Sequence, residues 1–149
     1  NAQFQYEKSF LNNNPDVHLE LSFNEELAHL IYAGADMIVV PSNYEPCGLT
    51  QMIGLKYGTE PIVRAVGGVV NTVFDKDYET GKPPEMRNGY VFNDMDYHAV
   101  DFAMERALWL WYNEKDEYRM LMKQGMECDY SWNNPGSEYL DIYESIRDK

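Results

Sequence analysis

Apolar and polar side chains alternate along Val17-His18-Leu19-Glu20-Leu21-Ser22-Phe23, the period of a strand with one buried face. Asn24 is an N-cap residue type, and Leu27, Leu30 and Ile31 then recur at helical spacing before Gly34, which predicts a helix from Asn24 to about Ala33. Met37-Ile38-Val39-Val40 is a continuous apolar run closed by Pro41, as expected of a strand covered on both faces of a parallel sheet. A turn-rich stretch from Pro41 to Gly48 leads into a predicted helix from about Leu49 to Tyr57, which Gly58 stops. Pro61-Ile62-Val63-Arg64-Ala65 reads as the next strand. The order β-α-β-α-β predicts an α/β fold with a parallel sheet and right-handed crossovers.

Gly67-Gly68 follows that strand, Val69 to Phe74 reads as a short helical turn, and Asp75 to Arg87 reads as a polar surface loop. Gly89-Tyr90-Val91-Phe92 is a fourth short strand. Asp96 caps a predicted helix to about Tyr112, with Val100, Ala103, Met104, Ala107, Leu108 and Trp111 on its stripe. A second helix runs from about Asp116 to Met126. A last helix is capped by Ser131 or Asn134, with Pro135 near its first turn and Tyr139, Ile142, Tyr143 and Ile146 inside it. These helices read as cover for the sheet rather than as a second domain. Phe102 and Trp109 lie off the stripe and suit either tertiary packing or an interaction surface.

Composition narrows the class. A length of 149 residues suits one domain or one layer of a larger one, and 44% hydrophobic residues exclude wholesale disorder. A formal charge of −13 speaks against a nucleic-acid partner or a polybasic membrane surface. No apolar run approaches the roughly 20 residues that span a bilayer, and no signal peptide is visible. The opening Asn1-Ala2-Gln3-Phe4 reads as the middle of a longer chain. Cys47 and Cys128 are far apart and His18, His29 and His98 are scattered, so neither a disulfide scaffold nor a metal site is expected. Reduced thiols in an intracellular compartment are the simplest reading.

Ligands of an open parallel sheet bind beyond the carboxyl ends of its strands. The richest connection there is Ser42-Asn43-Tyr44-Glu45-Pro46-Cys47-Gly48-Leu49-Thr50-Gln51, which ends at a helix N-terminus suited to an anion. Gly48 permits close approach to the backbone, Thr50 adds a hydroxyl, and Glu45 is placed to accept hydrogen bonds from a polyol. The same residues also make an ordinary capping turn, with Glu45 supporting the first-turn dipole. Gly67-Gly68 reads as a second close approach or as a tight turn, and Phe23 as a stacking ring or a core aromatic. His29 reads as an ordinary surface or core histidine, and Cys47 lacks a nearby histidine to act as its base. Glu25-Glu26, Asp75-Lys76-Asp77 and Glu114 to Glu117 read as solvated charge.

The stretches Tyr32-Ala33-Gly34-Ala35-Asp36, Val40-Pro41-Ser42, Glu45-Pro46-Cys47-Gly48-Leu49-Thr50-Gln51 and Leu55-Lys56-Tyr57-Gly58-Thr59 closely resemble bacterial glycogen synthases and plant soluble starch synthases. So do Val63-Arg64, Gly67-Gly68, Asn71-Thr72-Val73 and Asp129-Tyr130-Ser131-Trp132, and the likeness runs from about Leu19 to the end. It implies a Rossmann-like parallel sheet with flanking helices. Residues 1–149 would be the larger part of the C-terminal, nucleotide-sugar-binding domain of a GT-B glycosyltransferase, without the N-terminal acceptor domain. The implied activity is retaining transfer of glucose from ADP-glucose to the non-reducing end of an α-1,4-glucan. No cofactor beyond that donor substrate is implied. The implied partners are ADP-glucose or ADP, and the glucan through the N-terminal domain; neither nucleic acid nor membrane is among them. The implied location is the plastid stroma or the bacterial cytoplasm.

By position, the resemblance gives Glu45 the catalytic, sugar-positioning role. Cys47 and Gly48 would face the glucose, Leu49 and Thr50 the diphosphate, Phe23 the adenine, and Gly67 and Gly68 would form a glycine-rich turn near the cleft. Ile53 stands where many related transferases carry a second glutamate, and Val66 where a threonine is usual. The Arg and Lys that neutralise the donor phosphates lie upstream in the family, so this segment alone is expected to be inactive. Two other readings remain open: a non-catalytic nucleotide-binding or interaction module of the same fold, and another GT-B enzyme such as a sucrose or trehalose-phosphate synthase.

Overall fold

A computed structural model describes residues 2–147, apart from the side chain of Asn134. The chain forms two compact units, residues 1–30 and 31–149.

The N-terminal unit holds helix α1 (Ala2–Leu11) and the start of helix α2 (Glu25–Gly34). Asn24 caps α2, its Oδ1 accepting from the Leu27 amide at 3.0 Å, as the sequence predicts. The predicted strand at 17–23 does not form. Side chains satisfy its backbone instead of a neighbouring strand: Asn12 Oδ1 accepts from Leu19 N–H at 2.6 Å, and Asn12 Nδ2 donates to Leu19 C=O at 3.3 Å. Glu20 Oε1 accepts the Leu21 and Ser22 amides at 2.8 and 2.9 Å. Val17, Leu21 and Phe23 are exposed. Alternation without a surface to bury against does not make a strand. Helix α1, in turn, has no buried residue and left no hydrophobic stripe to read.

The second unit is built on a three-stranded parallel sheet in the order β1 (Met37–Val40), β2 (Glu60–Arg64), β3 (Tyr90–Phe92). β2 is central and its side chains serve two cores. Ile62 packs with Tyr90, Phe92, Ala103, Ala107, Leu110, Tyr118 and Leu121 under helices α4 (Tyr97–Asn113) and α5 (Lys115–Glu127). Val63 packs with Val40, Val69 and Val73 on the other face. Helix α3 (Leu49–Tyr57) has its predicted bounds, and a 3-10 turn spans Gly67–Asn71. Asp96 caps α4 by accepting from Ala99 N–H at 2.9 Å. On α4, Leu110 rather than Leu108 is buried.

Helix α6 (Asn133–Arg147) begins at a bond from Asn133 N–H to Ser131 Oγ, 3.2 Å long. Asn134 lies within the helix, and its side chain is outside the described residues. Tyr139, Ile142, Tyr143 and Ile146 of α6 are exposed. Among the described residues no helix is long and apolar enough to cross a membrane.

The 75–87 loop corrects a second expectation. Asp75 is a buried hub, not solvated charge. Arg106 of α4 grips it with Nη1 to Oδ1 at 2.9 Å and Nη2 to Oδ2 at 3.0 Å, and its Nη1 also reaches Asp77 Oδ2 at 2.8 Å. The Asp77, Tyr78 and Val91 amides donate to the same Asp75 carboxylate. Burial by itself raises the Asp75 pKa, but the guanidinium and the three amides outweigh it and hold the carboxyl below its usual range. Polar burial takes a different form at Glu60. It is 1% exposed, and among the described residues neither carboxylate oxygen has a hydrogen-bond partner. Burial raises its pKa well above that of an ordinary glutamate, because desolvation disfavours the charged carboxylate.

Two opposite pH responses are expected in denaturation experiments. The Asp75 contribution is present above the unfolded carboxyl pKa of about 4 and is lost as pH falls from there through the lower folded value. Arg106→Leu should therefore lower stability by about 3 kcal/mol at pH 7, and the gap from wild type should narrow at lower pH. Glu60 acts the other way, because an acid with a raised folded pKa loses stability as pH climbs above the unfolded value. Glu60→Met, close in size and without stranded oxygens, should raise stability by about 1–3 kcal/mol at pH 7 and by less at pH 5. A stabilisation independent of pH would contradict a raised Glu60 pKa.

Candidate functional site

Parallel pairing sets Val40 beside Val63, so the chain leaves β1 and β2 at the same edge of the sheet. From β1 it turns through Pro41 to Gly48 into the N-terminus of α3. From β2 it turns through Ala65 and Val66 into the 3-10 turn. This edge, beyond the carboxyl ends of the strands, is where open α/β sheets hold ligands.

The first turn folds around the half-buried Glu45. Glu45 Oε1 accepts from Gly48 N–H at 3.0 Å, and Oε2 accepts from the Ser42 hydroxyl at 3.3 Å. Gly48 adopts φ 75°, a left-handed conformation. A Cβ there would stand 2.8 Å from the Cδ of Gln51, so the carboxamide fills that space. Among the described residues no side chain caps the first-turn amides of helix α3. Leu49 at that terminus is 63% exposed, and Thr50 is half-buried. The positive end of the helix dipole thus opens beside Glu45.

The second turn abuts the first, backbone to backbone. Gly68 N–H donates to the Glu45 carbonyl oxygen at 3.2 Å. Gly67, at φ 55°, has no room for a Cβ because the same carbonyl oxygen occupies its place. A Cβ on Gly68 would stand 2.5 Å from Cys47 O and 2.9 Å from Pro46 O. The glycine pair is therefore a close approach rather than a tight turn alone. Arg64, at the end of β2, ties the edge together. Its Nε donates to Asn93 O at 3.1 Å, and its Nη1 donates to Ser42 O and Asn43 O, each at 3.3 Å.

Behind the edge lies a polar layer built around the buried Gln51 and Asn88. Gln51 Nε2 donates to Thr72 Oγ1 at 3.0 Å, and Thr72 Oγ1 donates to Val69 O at 3.0 Å. Thr72 C=O accepts from Asn88 Nδ2 at 2.9 Å and from the Tyr130 hydroxyl at 2.6 Å. Asn88 Oδ1 accepts from Phe74 N–H at 2.8 Å.

Of the predicted site residues, the structure brings Glu45, Cys47, Gly48, Leu49, Thr50, Gly67 and Gly68 onto this one edge. Phe23 lies in the N-terminal unit, ahead of α2, with its side chain 92% exposed. It is not a core aromatic. Gln51, Thr72 and Asn88 were not anticipated. One signal for Gln51 was available: with Gly54, Leu55 and Gly58 it recurs at i, i+3, i+4 and i+7, the face of α3 that is buried. Among the described residues no group of three or more His, Cys, Asp or Glu side chains is placed to hold a metal ion.

Comparison with known proteins points in one direction. No family model matches the chain. The chain is 72% identical over all 149 residues to glycogen synthase 1 of Trichormus variabilis, covering 30% of that protein. It is 70% identical over the same length to probable glycogen synthase 2 of Nostoc sp., again covering 30% of the relative. Among solved structures it resembles the catalytic domain of starch synthase IV from Arabidopsis thaliana bound to ADP and acarbose. That match has a TM-score of 0.93 and 34% identity over 99% of this chain and 30% of the other. The chain thus spans about 30% of the length of the relatives it matches.

The backbone contact at the edge is tested by pairing two glycine substitutions. Gly68→Ala should cost about 1–3 kcal/mol through overpacking against the Cys47 and Pro46 carbonyls. Gly34→Ala, where a Cβ meets nothing within 4 Å, should be neutral or stabilising by up to about 1 kcal/mol. Equal effects in urea denaturation would refute the close approach.

Proposed function

The chain is a segment of the glycogen and starch synthase family, and from that premise we propose that it is the larger part of the C-terminal, nucleotide-sugar-binding domain of a retaining glucosyltransferase. The whole protein moves glucose from ADP-glucose to the non-reducing end of an α-1,4-glucan. The observation that carries this reading is the junction of Glu45 with an uncapped helix terminus: a carboxylate 3.0 Å from Gly48 N–H, beside first-turn amides that no side chain caps. A sugar and a diphosphate are adjacent in ADP-glucose, and this edge offers an acceptor for the first and donors for the second.

In this reading Glu45 accepts hydrogen bonds from the hydroxyls of the donor glucose and positions its anomeric carbon. The Cys47 and Gly48 backbone lines the sugar, and Leu49 and Thr50 meet the diphosphate at the helix terminus. Gly67 and Gly68 complete the wall. Charge develops on ADP as the glycosidic bond breaks, so donors already aimed at the phosphates stabilise the transition state. Arg64, the cation closest in sequence to this edge, has Nε and Nη1 bonded to backbone carbonyls. The balancing cations are therefore assigned to the rest of the protein, together with the glucan-binding domain. No cofactor beyond the donor substrate is assigned.

The test is transfer kinetics in the whole enzyme. Glu45→Ala should lower kcat roughly 100-fold or more, while Glu45→Gln, which keeps an acceptor oxygen, should retain more activity than the alanine variant. Near-normal turnover in Glu45→Ala would remove Glu45 from the site.

A further inference from the structure

We propose that Gln51 and Thr72 are positioning residues for the transfer site, their hydrogen bond holding in register the two backbone turns that carry Glu45 and the glycine pair. This inference rests on the transferase reading above and adds residues to it.

Hydrogen bonds and one packing contact form a closed circuit. Glu45 holds Gly48 through Oε1 at 3.0 Å. The left-handed Gly48 lies against the Gln51 carboxamide, which takes the space of the missing side chain. Gln51 Nε2 donates to Thr72 Oγ1 at 3.0 Å, and that hydroxyl donates to Val69 O, inside the 3-10 turn. Gly68 of the same turn donates back to the Glu45 carbonyl at 3.2 Å. Thr72 is itself anchored from behind by Asn88 and Tyr130 on its carbonyl. The circuit begins and ends on Glu45, and the Gln51 to Thr72 bond is the side-chain link that closes it.

Packing alone does not explain glutamine at this position. Gln51 is fully buried, and among the described residues its Oε1 has no hydrogen-bond partner. A stranded buried acceptor is destabilising, and an unbranched apolar side chain of similar volume would fill the space without that burden. What the apolar chain lacks is the Nε2 donor. The fold carries an unpaired oxygen to keep a donor aimed at Thr72, which is the mark of a group retained for geometry at a site rather than for stability.

The test uses the whole enzyme and three variants: Gln51→Met, Thr72→Val and Thr72→Ser. Gln51→Met should melt at or above the wild-type temperature. Its kcat should nonetheless fall roughly 10- to 100-fold, because small displacements of reacting groups carry penalties of that order. Its KM for ADP-glucose should change little. Thr72→Val should lose kcat in the same way, and Thr72→Ser, which keeps Oγ, should restore it. Hydrogen exchange over residues 45–52 and 66–72 should be faster in Gln51→Met and Thr72→Val than in wild type and Thr72→Ser. Wild-type kcat in Gln51→Met, or a loss of kcat that follows a fall in melting temperature, overturns the proposal. So does unchanged exchange in both segments. If the wild-type enzyme does not transfer glucose from ADP-glucose, the transferase reading fails, and exchange still decides whether the bond couples the two turns.

Discussion

The contact between the Glu45 carbonyl oxygen and the Gly68 amide, 3.2 Å long, sets the geometry of the strand-end edge. Parallel pairing of β1 with β2 creates it, since parallel neighbours lie about 4.8 Å apart and end on the same side. Antiparallel strands would send the two turns to opposite ends. At that spacing two irregular turns fit only if their backbones touch, and a Cβ on Gly67 or Gly68 would meet a carbonyl of the other turn. The glycine pair, the left-handed Gly48 and the Arg64 bonds to Ser42 and Asn43 all follow from making that contact without voids.

The same edge constrains how charge is handled. The chain carries a formal charge of −13, so its long-range field repels an anion such as a nucleoside diphosphate. Attraction has to come from groups in near contact. The helix-terminus effect falls off within about one turn and so is confined to the place where Glu45 and Gly48 meet. Arg64 does not reverse the balance, because Nε and Nη1 already bond to the backbone that shapes the edge. The arrangement is strong in directed donors and weak in net positive charge, which favours recognition by position over capture by field.

Much of this was legible in the chain, for physical reasons. The apolar runs at Met37–Val40 and around Ile62-Val63 mark strands buried on both faces, and Gly58 marks the end of α3. The Glu45 to Thr50 string announced a turn at a helix terminus. What escaped was polar structure inside the fold. Asp75 sits in a run that reads as solvated charge, yet its partner Arg106 comes from α4, 31 residues on. Gln51, Glu60 and Asn88 are buried although polar, so hydropathy places them on the surface. The 17–23 stretch failed in the opposite sense: its alternation is strand-like, but Asn12 and Glu20 take up its backbone groups. Periodicity registers burial by apolar neighbours and is blind to burial by hydrogen bonds.

Three of those buried polar side chains separate what serves the fold from what serves the edge. Asn88 bonds through both ends of its carboxamide, to Phe74 N–H and to Thr72 C=O, and so is compatible with a purely structural role. Among the described residues Glu60 bonds through neither oxygen, but it stands at the start of β2, about 13 Å along the strand from Arg64 at the edge. Its burden is felt as stability and leaves the two turns untouched. Gln51 is intermediate in satisfaction, with Nε2 paired and Oε1 stranded, and it lies directly against Gly48. An unsatisfied atom remote from the edge is a liability of the core. One whose paired half orients the edge is held there by the geometry it maintains, so position relative to Glu45 distinguishes the two cases more sharply than burial does.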